Sequence, residues 1–188
     1  MNKRLKIVLW ILAAAAAAAA CGVTLSMMFR KTDSVNRLTP AIVTCAVHEK
    51  LDGVDNPASA GIGTEKSDIR IQNTGNISAF LRLRLVSYFV NADGDLLGIA
   101  SETPVVSPNA GWLAGAENTY YYADPVAPSG QTGSLCPPVT LRQKTLEDGS
   151  VAFQVLEVFA EAVQASPAAA AGEAWGVTIS DGKITAAP

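Results

Sequence analysis

Between residues 80 and 85 the chain alternates strictly, with Leu81, Leu83 and Leu85 on every second position and Phe80, Arg82 and Arg84 between them. Successive side chains of an extended strand point to opposite faces, so this period puts a leucine row into a core and the other three residues on a wet face. A helix cannot use such a pattern, because its apolar positions must recur every 3 to 4 residues. The chain is thereby committed to a sheet with one buried side. Two further segments repeat the signal: Val43, Cys45 and Val47 alternate with Thr44, Ala46 and His48, and Ile69 and Ile71 alternate with Arg70 and Gln72.

Turn chemistry punctuates these runs. Residues 52–67 read as a loop, and Asn73-Thr74-Gly75-Asn76 reads as a turn whose residues tolerate positive φ. Asn91-Ala92-Asp93-Gly94-Asp95 separates two apolar runs, a strong hairpin signal that predicts a returning strand at Leu96 to Ile99. Residues 101–118 form a Pro- and Gly-rich loop around Trp112, Thr119 to Tyr122 a short aromatic strand, and Pro125 to Gly133 another turn. Ser134 to Leu141 contains Pro137 and Pro138, which suit only an edge or a strand end. Val151 to Gln164 fits a helical stripe through Leu156, Phe159, Ala160 and Val163, but its β-branched and aromatic content favours one long strand. A helical turn at Ala168 to Trp175 and a last strand at Val177 to Ile179 close the chain. At least six short strands with turn-rich connections predict an all-β fold, an antiparallel β-sandwich formed by a single domain over residues 41–188.

Ahead of that domain lies a different kind of sequence. Lys3, Arg4 and Lys6 precede an apolar stretch from Ile7 to Phe29 that includes eight consecutive alanines, Ala13 to Ala20. At 1.5 Å per residue such a stretch spans a hydrocarbon core of about 30 Å, so residues 1–29 read as a signal peptide or a membrane-anchoring helix. The small residues Thr24 and Ser26, two apart, suit cleavage by a signal peptidase after Ser26. Lipid attachment at Cys21 is the weaker alternative, since Ala18 stands where a lipobox has a leucine-like residue. Residues 30–40 are polar and read as a tether. Cleavage would remove three cations and leave 11 basic residues against 17 acidic ones, a charge of −6 on the exported part. That balance provides no basic stripe for nucleic acid, and the membrane is met only through the N-terminal helix.

The composition narrows the chemistry further. One histidine, His48, stands on a strand among polar neighbours, and no G-x-S-x-G elbow accompanies it, so the expectation is a non-enzyme that needs no cofactor or metal. Gly61-Ile62-Gly63 lacks the third glycine of a phosphate cradle. The 91–95 loop does not place its glycine at the sixth position of a calcium loop. Asn76-Ile77-Ser78 is a glycosylation sequon whose simpler role is the turn. Cys45 and Cys136 fall on the exported side and form either a disulfide or two buried thiols. Trp112, Tyr120 and Tyr122, with Tyr121 and Trp175, form either a sugar-stacking platform or the aromatic filling of the sandwich.

Several pieces follow one another along the chain in a definite order and spacing: T24-L-S-M-M-F-R-K-T32, V43-T-C-A-V47, I71-Q-N-T-G75, A79-F-L-R-L-R84, Trp112, Y120-Y-Y122, V126-A-P-S-G-Q-T132, V155-L-E-V-F-A-E-A-V-Q164 and A174-W-G176. Together they resemble the TasA/camelysin-like exported proteins of Gram-positive bacteria. The resemblance implies a jelly-roll type of sandwich, export through a dedicated signal peptidase, and a structural role in a biofilm matrix or at the cell surface. The expected partner is then a second copy or a related subunit, joined by strand addition through a donor segment from about Met27 to Val47. The alternative reading is a membrane-anchored surface binding module, an adhesin or a carbohydrate receptor.

Overall fold

A computed structural model of the protein describes residues 40–52, 64–101 and 103–188. In chain order the first strands are β1 (Cys45–Asp52), β2 (Glu65–Asn73), β3 (Ala79–Val90), β4 (Leu96–Leu97), β5 (Trp112–Ala114) and β6 (Thr119–Tyr122). They are followed by β7 (Val139–Thr140), β8 (Gln143–Thr145), β9 (Val151–Gln164), the helix α1 (Ala169–Trp175), β10 (Thr178–Ser180) and β11 (Lys183–Ala186). The described chain is mostly antiparallel β structure, as the alternation predicts. Thr24, Ser26, Cys21 and Gly61 to Gly63 lie outside the described residues.

The leucine row is on β3, at the centre of the larger sheet, whose order is β5-β6-β3-β9-β8 with β4 also paired to β3. Residues 151–164 are indeed one strand: β9 pairs with β3 in an unbroken register from Ala79↔Gln164 to Val90↔Phe153. A smaller sheet, β1-β2-β7, faces it. Leu81, Leu83 and Leu85 from β3 and Leu156 from β9 share one core with Ile69 and Ile71 from β2, with Val43 and Cys45 packed against it. Each such aliphatic side chain removed from water contributes about 1.5 to 3 kcal/mol, so this shared interior is the main source of cohesion.

The far face of the larger sheet differs from the sequence expectation. Phe80 is only 1% exposed rather than wet, because α1 and the β10-β11 hairpin cover that end of the sheet with Trp175, Val177 and Ile184. Gly176 ends α1 in the left-handed conformation, at φ 69°, and its N–H caps the helix on the Gly172 carbonyl. The Arg82 guanidinium lies 4.9 Å from the centre of the Trp175 ring and binds Glu161 at 2.7 Å. Phe159, outside this cover, stays half exposed.

The Asn73 to Asn76 turn holds the start of the domain. Asn73 is fully buried and donates to the Ile77 and Val126 carbonyls, both at 2.8 Å. Asn76 accepts from the Ile42 N–H at 2.7 Å and donates to the Pro40 carbonyl at 2.8 Å. A side chain at Gly75 would place its Cβ 2.3 Å from the Ile42 carbonyl oxygen, so only glycine lets the two segments approach this closely. The 91–95 turn is a hairpin, with Asn91 N–H to Asp95 O at 3.0 Å, although the returning strand is only Leu96–Leu97. Its acidic residues serve the turn: the Asn91 side-chain oxygen accepts from the Asp93 and Asp95 N–H groups at 3.0 and 2.8 Å.

Several boundaries move. The expected 52–67 loop is shorter at both ends, because Leu51 and Asp52 pair with Lys66 and Glu65. Within Ser134 to Leu141 only Val139–Thr140 is strand, as the two prolines require. β5 arises inside the 101–118 stretch that composition reads as loop, and β8 and β11 arise where the sequence predicts no element.

Candidate functional site

The most distinctive side chain of the fold is a lysine in an apolar setting. Ile69, Ile71 and Asn73 of β2 point into the core, and strict alternation would continue through Ser67 and Glu65. A bulge intervenes. The β1-β2 register slips between His48↔Arg70 and Lys50↔Ser67, so two β2 residues, Asp68 and Ile69, oppose the single Glu49. Asp68 takes φ 54°, a left-handed conformation that aspartate tolerates better than most residues, and it accepts a hydrogen bond from Arg70. The extra residue reverses the parity of the strand and turns Lys66 inward, where it is 5% exposed.

Burying an ammonium is costly unless it is paired and hydrogen-bonded. Both conditions are met: the Lys66 Nζ binds Glu49 Oε1 at 2.9 Å and donates to the main-chain carbonyl of Leu156 on β9. The lysine thus bridges the two sheets. Around it, β1 and β9 border a groove of about 670 Å³, walled by Val47, Val90, Leu96, Val155 and Val158 and carrying Glu49, Lys66, Tyr88 and Glu157 as polar groups. Burial, then the neighbouring Glu157 carboxylate to which the phenol donates, hold Tyr88 above the ordinary tyrosine range. Leu96 is 70% exposed at the groove, an apolar shelf on the hairpin tip. Such a volume, mostly apolar with a few polar groups, has the make-up of a recognition site.

The residues singled out from sequence lie elsewhere. Cys45 and Cys136 are both free thiols. Cys45 stands opposite Asn73 on the β1 flank of β2, whereas Cys136 follows Leu135, whose N–H bonds the Ile69 carbonyl on the opposite flank. Two strand spacings, about 10 Å, separate those flanks, which exceeds the reach of about 7 Å between Cα atoms for a disulfide. The structure therefore does not bring the pair together; each thiol packs into the shared core as a small apolar group. Burial pushes the Cys136 thiol up, and burial followed by the Glu161 charge does the same for Cys45.

The aromatic trio is brought together, but facing inward. Trp112 and Tyr120 are each 5% exposed, and Tyr122 meets Trp112 edge-on with ring centres 5.2 Å apart. The Trp112 indole N–H is bonded to the Gly133 carbonyl at 3.1 Å, so the ring offers no open face to a sugar. Tyr121 and Trp175 pack in the outer cluster. His48 is an exposed strand residue within 2.9 Å of Gln72 Oε1. Alternation does not mark Lys66 and Glu49, because a bulge has no signature in it and Lys66 falls within the 52–67 stretch that composition reads as loop.

The geometry defines a mostly β domain, with one short helix and a groove at the seam between two antiparallel sheets. In comparisons with family models, curated proteins and solved structures, nothing matches this chain.

Proposed function

We propose that the chain is an exported structural subunit, or an accessory subunit, of an extracellular fibre or cell-surface layer, assembling by addition of an N-terminal strand from one copy to a sheet edge of the next. The observation that carries this reading is the edge of β9. β8 pairs with residues 151–153, Arg142 accepts from Gln154 and Lys66 donates to Leu156; beyond Leu156 the only strand paired with this 14-residue strand, among the described residues, is β3. An edge of that length with unused main-chain groups favours pairing with another chain. The apolar segment ahead of the domain and the family resemblance support export, with residues 1–29 as signal or anchor. The jelly-roll winding belongs to the same proposal, supported by two antiparallel sheets around one interior.

The donor segment is narrower than the sequence suggests. Residues 45–48 already pair within the chain to β2, and Val43 packs against its core. Removing 27–47 would dismantle the domain, so the donor is confined to residues 27–39. Purified residues 27–188 are expected to form filaments with rising concentration, seen by sedimentation and negative-stain electron microscopy. The same protein starting at Pro40 is expected to stay monomeric. Filaments of normal length from the shortened protein would eliminate strand donation, and a stable monomer from both would favour a displayed binding module built on the groove.

A further inference from the structure

We propose that Lys66 is a latch on the β9 edge, occupying the main-chain acceptor that an added strand would need; the inference rests on the strand-addition reading. The direction of each β9 group follows from one hydrogen bond. Gln154 N–H donates to the carbonyl of Arg142, on the β8 side, at 2.8 Å, so the main-chain groups of Gln154 point away from β3. The β3-β9 register has no slip, so the same phase applies at Leu156, Val158 and Ala160. The Leu156 carbonyl is thus the next outward acceptor after Gln154, where Arg142 ends the cover of the β8 side. Lys66 donates to that oxygen.

The latch is built from the opposite sheet. Its stem rises from β2 because of the bulge at Asp68, and its ammonium is held from behind by Glu49 of β1 at 2.9 Å. Proteins commonly protect an open edge with a charged side chain on the edge strand itself. Here the charge reaches across the seam, closing the edge and tying the sheets together with the same group. A strand that enters along β9 must displace the ammonium from Leu156, while the shelf at Leu96 and the walls of the groove remain available to its apolar side chains. Assembly is therefore gated by the release of one buried ammonium from the Leu156 carbonyl.

The test uses the full-length chain in detergent micelles and a fluorescent synthetic peptide of residues 27–39, with binding followed by anisotropy and hydrogen exchange at Val158. Lys66→Met keeps the length of the side chain and removes its donors; it is expected to bind the peptide at least tenfold more tightly than wild type, with slower exchange at Val158. Lys66→Arg keeps the charge and is expected to match wild type. Equal affinity for wild type and Lys66→Met overturns the latch and leaves strand addition standing. Binding by neither protein removes strand addition at this edge, and the latch with it. If Lys66→Met does not fold, Glu49→Gln decides: a gain of about threefold supports the latch, and unchanged affinity overturns it.

Discussion

The two faces of the larger sheet are buried by different means. Its inner face meets the smaller sheet through aliphatic side chains drawn from β2, β3 and β9, positions far apart in the chain. Its outer face is covered at one end, where a single C-terminal stretch, α1 with the β10-β11 hairpin, lays Trp175, Val177 and Ile184 against Phe80 and Tyr121 of the sheet. The first interior exists only when the whole domain is assembled, whereas the second is a local lid on a sheet that already has its core. Loss of an inner contact should therefore be felt globally, and loss of an outer one mainly where it occurs.

Leu83→Ala tests the global side of this contrast. Leu83 is fully buried at the middle of β3, between β6 and β9, and its truncation is expected to cost about 4 kcal/mol in urea denaturation, with one cooperative transition. Trp175→Ala tests the local side. Its ring packs edge-on against Tyr121 at 5.9 Å and under Arg82, so about 3 kcal/mol is at stake. The loss should appear as faster hydrogen exchange in residues 169–186 with β3 and β9 protection retained. Uniform deprotection would erase the distinction between the faces.

Asn73→Ala probes a polar tie of the inner region and is expected to cost about 2 kcal/mol, since it removes the donors to the Val126 and Ile77 carbonyls and the acceptor of the Gly75 N–H. The smallest effect is that of alkaline pH. Burial favours the neutral thiols of Cys45 and Cys136, raising their folded values above the unfolded thiol value of about 8.5. Their contribution to stability is complete below that pH and is lost as pH rises through the folded values. Denaturation midpoints should fall more steeply above about pH 9 in wild type than in Cys136→Ala.

These contrasts also explain what could be read from the sequence. The inner face was legible because Leu81, Leu83, Leu85, Ile69 and Ile71 repeat every second residue, and the turn at 73–76 and the hairpin at 91–95 announce themselves in Asn, Asp and Gly. The outer layer was not. Phe80 alternates with the leucines and is assigned to water by periodicity alone; only a cover arriving from residues 169–186 buries it. β8 escaped notice because Gln143, Lys144 and Thr145 are all exposed, with no buried face to leave a pattern. The site was the least legible part. A single added residue at Asp68 reverses which side chains face inward, and nothing in residue type marks the reversal.

The turn that fastens the start of the domain has a practical consequence for making the protein. Asn76 belongs to an N-x-S sequon, and both ends of its side chain are engaged, the amide nitrogen with Pro40 and the oxygen with Ile42. A sugar attached to that nitrogen in a eukaryotic secretory host would replace one of its donor hydrogens and place a bulky group against residues 40–42. Material from such a host would carry a loosened first segment, next to the tail on which assembly is proposed to depend. A bacterial host leaves the fastening as the chain encodes it.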